Sequence, residues 1–147
     1  MTKFQNKKAR FNFFFISEIE TGIVLKGTEI KSIRAGKLSF KDSYARIEND
    51  EIWLYNLHIS IYEEGSIFNH VPERKRKLLL HKREIKKMKK QVEEKGLTLV
   101  PKTLFINKNN LVKVILTVAK GKKRFDKRDD IKRKDVAREL QRTEKMR

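Results

Sequence analysis

LTLVPKTLFINKNNLVKVILTVA, residues 97–119, is the stretch that sets the fold class. Two apolar runs, 97–106 and 111–119, flank the polar NKNN and read as a β-hairpin. Val112, Val114, Leu116 and Val118 alternate along the second run, which marks a half-buried sheet face. Pro101 cannot donate to a hydrogen-bond ladder, so the first run should place it at an edge or a bulge.

Other strands follow on both sides of this hairpin. FNFFFI, residues 11–16, is aromatic-rich in the manner of a buried strand, and IVL, 23–25, lies between Gly22 and Gly27. SYARI, the polar turn ENDE and IWLYNL form a second hairpin over residues 43–57. Two helical patterns interrupt the strands. TEIKSIRAG, 28–36, starts at a potential cap, Thr28, and carries Ile30 and Ile33 three residues apart. ERKRKLLLHKREIKKMKKQVEEKG, 73–96, keeps Leu78, Ile85, Met88 and Val92 on one helical face, leaves the other faces largely basic, and ends at Gly96.

The core is therefore expected to combine about six short strands with one or two helices. That layout is mainly β with inserted helices, and it fits a small OB-fold-like antiparallel barrel. A split α+β sheet is the alternative, and periodicity does not choose between them. The barrel is assigned to residues 11–119, with a basic N-terminal arm over 1–10, partly ordered because it is short of core residues. Residues 120–147 hold 13 Lys/Arg and 6 Asp/Glu with few apolar side chains. Burial there cannot offset roughly 1–2 kcal/mol of backbone entropy per ordered residue, so a disordered tail is predicted. Helix breakers are absent after Gly121, and Phe125, Val136 and Leu140 fall on one side of a helical wheel, which suits folding on a large anionic partner.

The formal charge of +18 over 147 residues points the same way. Such an imbalance is self-repulsive unless a polyanion cancels it, and nucleic acid gains further from counterion release. A membrane partner fits poorly, since no long apolar run, signal peptide or lipidation pattern occurs. The lack of cysteine removes disulfides and thiolate chemistry and agrees with a reducing cytoplasm. His58, His70 and His81 lack metal-ligand spacing, and no phosphate-loop, dinucleotide or nucleophile-elbow motif is present. No cofactor is expected. Metal-free RNA cleavage through His70 or His81 is the one enzymatic reading that survives.

Six ordered blocks carry a more specific message. NKKARFNFFF, TGIVLKGTEIKSIRAGK, KDSYARI, RKRKLLLHKREI, EKGLTLVP and AKGKKRFDKR resemble the signature blocks of small protein B, the SsrA-binding family that partners transfer-messenger RNA in bacteria. The similarity runs from Asn6 to about Ile131. It implies an OB-like barrel, an unstructured tail in the free protein, and a non-enzymatic adaptor. The adaptor would hold the tRNA-like domain of transfer-messenger RNA and deliver it to stalled ribosomes. Elongation factor Tu and alanyl-tRNA synthetase would be partners through the RNA.

The resemblance also implies site residues. Asn6, Lys7, Lys8 and Arg10 would contact RNA near the tRNA-like elbow. Glu20 would belong to the RNA surface, either accepting from a guanine edge or orienting a lysine. Lys31, Arg34 and Lys37 form a phosphate-binding row, and Arg74, Arg76 and Lys77 a denser cluster. Leu79 would support the site by packing, and His81 would either meet RNA or cap a helix. Lys122, Lys123, Arg124, Phe125, Asp126, Lys127 and Arg128 would work in the ribosomal decoding centre and empty messenger channel, with Phe125 stacking on a base or anchoring to the barrel. Phe11 stands where some relatives have histidine, so a hydrogen bond from that ring is lost.

Overall fold

The computed structural model describes residues 2–64 and 69–122. The 97–119 hairpin is its backbone: β8 (Thr98–Ile106) and β9 (Val112–Gly121) pair antiparallel along their length. Asn107 fixes the turn by accepting from the backbone N–H groups of Asn109 and Leu111, and Asn110 takes the left-handed conformation at φ 60°. The register shifts between Pro101 and Thr103, so the proline sits at a bulge as expected.

That bulge divides the outer edge of β8 between two partners. Leu99, before it, pairs with Ala45 of β4 (Tyr44–Glu48). Thr103–Ile106, after it, pair with β1 (Thr2–Gln5). From β4 the sheet continues through β5 (Glu51–Tyr55), β7 (Arg76–Leu79) and β2 (Phe13–Ile23) to β9, which returns to β8. Every pairing is antiparallel, and the β8–β9 contact closes the circuit. Closure selects the barrel over the split sheet and removes most free edges. A small ribbon of β3 (Leu38–Ser39) and β6 (His58–Ile59) lies beside it.

Val114, Leu116 and Val118 point inward with Ile52, Leu54, Leu78, Leu99 and Leu104 to fill the core. Helix α3 (Lys82–Lys95) packs Ile85 and Met88 onto that core and ends at Gly96, whose φ of 60° is the left-handed cap the sequence indicated. Helix α2 (Gly27–Arg34) contributes the fully buried Ile33.

Three expectations need correction. The N-terminal arm, expected to be only partly ordered, is built of regular elements: residues 2–5 form β1, and 7–12 form helix α1 (Lys7–Asn12). The part of β8 beyond the bulge offers β1 an open edge, and Ala9 of α1 joins Val100 and Ala119 in a second small core. Leu78 belongs to a strand rather than to the long helix, because β7 must bridge β5 and β2 for the barrel to close. Thr28 does not cap α2; its hydroxyl lies 2.9 Å from His70 Nδ1, while the Glu29 carboxylate accepts from the Lys26 N–H at 2.7 Å. The predicted tail, apart from Lys120, Gly121 and Lys122, lies outside the described residues.

Candidate nucleic-acid interface

The outer face of β5, β7 and β2 brings several predicted residues together. Leu79 pairs with Gly22 across β7 and β2, yet about half its surface remains exposed (51%). A methyl group at position 22 would lie 3.3 Å from Leu79 Cβ and Cδ1. The missing side chain lets Leu79 lie close across the neighbouring strand. Glu20, two residues back on the same face of β2, is exposed and has no ion pair or hydrogen bond among the described residues.

On the other side of β7, Lys77 pairs with Trp53 of β5, which in turn pairs with Arg46 of β4. Lys75 places its ammonium 4.6 Å from the Trp53 ring centroid, a cation–π contact. Lys77 and Lys75 also meet Glu51 and Glu48 at 3.4 and 3.5 Å. Tyr55 stacks on Tyr44 with centroids 5.4 Å apart and donates to Glu48. That hydrogen bond, with Lys75 nearby, holds the Glu48 carboxyl below its ordinary range and pushes the Tyr55 phenol up. The surface thus presents a half-buried indole, cations, an apolar side chain and a carboxylate that is unpaired among the described residues. Trp53 and Tyr55 escaped the sequence-based site, although IWLY alternates rings with the inward Ile52 and Leu54 and so carried the signal.

Arg76 has a different place. Its side chain is fully buried, with Nη1 donating to Leu57 O at 2.6 Å, Nη2 to Pro72 O at 2.9 Å and Nε to Glu29. Arg74, partly exposed, donates to the other Glu29 oxygen. Burial acts to raise the Glu29 pKa, but hydrogen bonds from Arg74, the Lys26 backbone and Arg76 outweigh it, and the net shift is downward. Burial also pulls Arg76 down from its usual value, against the attraction of Glu29. Arg76 cannot meet RNA directly; it is a strut beneath the surface.

Asn6 needs the same correction. It is buried as the N-cap of α1, where Oδ1 accepts from the Ala9 N–H at 3.1 Å and Nδ2 donates to Pro101 O at 2.8 Å. Both ends of the amide are engaged within the fold. What it positions are Lys7, Lys8 and Arg10, which are exposed on α1, with Lys8 3.3 Å from Asp42.

Lys31 and Arg34 are exposed in the last turn of α2, and Lys37 follows in the next loop. Lys31 also lies over the Tyr62 ring, 5.4 Å from its centroid. His81 is the N-cap residue of α3 but makes no side-chain cap hydrogen bond, so its exposed ring is available. His70 is buried, with Nε2 2.8 Å from Ile59 O and Nδ1 at Thr28. His58 is 3.4 Å from Glu73. These partners give His70 a bracing role, which removes it from the cleavage scheme. Lys122 stacks its ammonium 5.1 Å from the Phe14 ring; Lys123, Arg124, Phe125, Asp126, Lys127 and Arg128 lie outside the described residues.

The family model described as SmpB protein matches residues 3–146. The chain belongs to the SmpB family. An SsrA-binding protein from Treponema denticola is 56% identical over 143 residues, covering 97% of this chain and 92% of the relative. Another from Bacillus subtilis is 54% identical over 138 residues, covering 94% and 88%. Among solved structures, a chain described under "tmRNA-SmpB: a journey to the center of the bacterial ribosome" matches with a TM-score of 0.71 and 46% identity, covering 88% of this chain and 94% of that one. SmpB membership and the antiparallel barrel agree with the expected fold. Among the described residues, no helix is long and apolar enough to cross a membrane.

Proposed function

We propose that this SmpB-family chain binds the tRNA-like domain of transfer-messenger RNA and delivers it to stalled ribosomes in the cytoplasm. The reading rests on one observation above all: Glu20 and Leu79 share an exposed sheet face with Lys77 and Trp53. A surface built only to attract polyanions gains nothing from an unpaired carboxylate, whereas a shaped RNA can satisfy one with a base edge. Its relatives named SsrA-binding protein, at 54–56% identity, support the same RNA.

The protein acts by holding and presenting, not by bond chemistry. The exposed cations Lys7, Lys8, Arg10, Lys31, Arg34 and Lys37, with the partly exposed Arg74, supply phosphate contacts, while His81 offers an exposed ring. The extension carrying Lys122 to Arg128 enters the decoding centre and the empty messenger channel. Elongation factor Tu and alanyl-tRNA synthetase join through the bound RNA.

Competition at fixed salt tests the reading, because both specific and unspecific binding weaken as salt rises. The tRNA-like RNA should displace a labelled copy of itself at least tenfold more effectively than an unrelated hairpin of equal length. Equal displacement would leave a basic RNA chaperone that recognises charge alone.

A further inference from the structure

Helix α3 carries a charge pattern that the sheet-face site does not use. Ile85 and Met88 face the core with Val92 packed beside them. At about 100° per residue, Arg83, Lys86, Lys87 and Lys90 fall on the opposite side, and all four are exposed. None has a carboxylate partner among the described residues. Lys8, Lys75, Lys77, Lys102 and Arg74 on other surfaces each have one.

The arrangement opposes the helix that bears it. Lys82 and Lys86, Arg83 and Lys87, and Lys86 and Lys90 are like charges four residues apart, and each pair is repulsive. Cations also crowd the first turns, while Glu93 and Glu94 stand near the C-terminus. Lys82 and Arg83 at the start and Glu93 and Glu94 at the end run against the helix macrodipole, and only Glu84 and Lys95 are placed with it. A face that served solubility alone would do as well with the signs interspersed.

We infer that the outer face of α3 is a second phosphate-binding surface, which takes the backbone of an RNA double helix while the β2–β7 face holds another RNA. This rests on the RNA-binding reading above and adds a second point of attachment. The chemistry selects a duplex. From Lys82 to Lys90 the cation-bearing positions span about 12 Å of rigid helix, with Cβ atoms three or four residues apart about 5–6 Å from one another, a spacing suited to a row of phosphates. Helix α3 has no aromatic residue, so it lacks the stacking platforms that single strands use. Its apolar side is committed to the core, which leaves none to insert into a lipid surface.

The test uses the full chain with Lys86 and Lys90 both changed to alanine. Both residues are exposed and alanine favours helix, so the melting temperature should stay level or rise as repulsion is relieved. Wild-type protein is first saturated with tRNA-like RNA, and a fluorescent 16-base-pair RNA duplex is then titrated by anisotropy. A ternary complex is expected. In the double variant the duplex should bind about tenfold more weakly, with a salt slope shallower by about two, while affinity for the tRNA-like RNA stays within about twofold. Displacement of the tRNA-like RNA by the duplex would overturn the proposal, as would unchanged duplex binding by the variant or equal loss of both RNAs. The duplex titration can also be run alone. Failure of tRNA-like selectivity would therefore leave its outcome intact and sink only the earlier reading.

Discussion

Arg76 and Glu29 form an ion pair in which neither side chain is exposed, and the same guanidinium holds the carbonyls of Leu57 and Pro72. One residue thus ties β7 to α2, to the segment after β5 and to the loop before β7. Truncating one partner of a buried pair typically costs about 3–5 kcal/mol, because the other charge is stranded. Arg76→Ala should lose stability on that scale in urea unfolding. RNA affinity per folded molecule should remain near wild type. A stable Arg76→Ala protein with abolished RNA binding would instead make Arg76 a contact.

The Glu29 carboxyl supplies a pH dependence with a definite sign. Its folded pKa lies below the ordinary 4.5, so the unfolded chain takes up the proton first as pH falls. The stabilisation is complete above the unfolded value and is lost progressively as pH drops from about 5 through the folded pKa. Glu29→Gln should be less stable at neutral pH and should show a flatter decline between about pH 5 and 3. Parallel stability–pH curves for the two proteins would refute this assignment.

The contrast between Arg76 and Lys77 explains what was legible in the sequence. Alternation in 111–119, the NKNN turn and Gly96 pointed to the right elements, because at these three places the deciding chemistry is local. The cluster Arg74, Arg76 and Lys77 was legible as charge but not as direction. Lys77 is partly exposed beside Trp53, whereas Arg76 turns inward to Glu29, 47 residues away in the chain. Alternation along a strand would have separated them, but KRKLLL also fits a helix, and only barrel closure decides. Asn6 was hidden similarly, since its partner Pro101 lies 95 residues away.

Removing that Asn6 link gives a third test. Asn6→Ala loses the N-cap bond to Ala9 and leaves Pro101 O without its 2.8 Å donor. The cap alone is worth about 1 kcal/mol, so thermal unfolding should shift downward by several degrees. Asn6→Asp retains the capping oxygen and should recover part of the loss. If neither variant changes the melting temperature, the amide's bonds contribute nothing and its effect must lie at the RNA.

Gly22 and Leu79 allow the interface to be altered while the core is left alone. Leu79→Ala removes an exposed side chain, so stability should change by less than about 1 kcal/mol. Gly22→Ala places a methyl 3.3 Å from Leu79 Cβ and Cδ1, and the leucine must give way by a few tenths of an ångström. Both variants should weaken binding of the tRNA-like RNA by about tenfold, an energy of about 1.4 kcal/mol. Filter binding and urea unfolding on the same preparations check the two halves of the expectation. A fall in affinity matched by a large loss of stability would make Leu79 a folding residue.

Glu20 separates shape recognition from charge attraction most directly. In a chain of net charge +18, Glu20→Lys adds two positive units on an exposed strand position. Attraction to phosphate alone would raise affinity for every RNA and steepen the salt dependence. If the carboxylate accepts hydrogen bonds from a base edge, the lysine deletes the acceptor and sets a cation against those donors, a loss of about 1–3 kcal/mol. Glu20→Lys should therefore bind an unrelated hairpin more tightly and the tRNA-like RNA more weakly. Glu20→Gln, which keeps one acceptor oxygen, should fall between on the tRNA-like RNA. Affinity that rises for both RNAs would show that the carboxylate reads nothing.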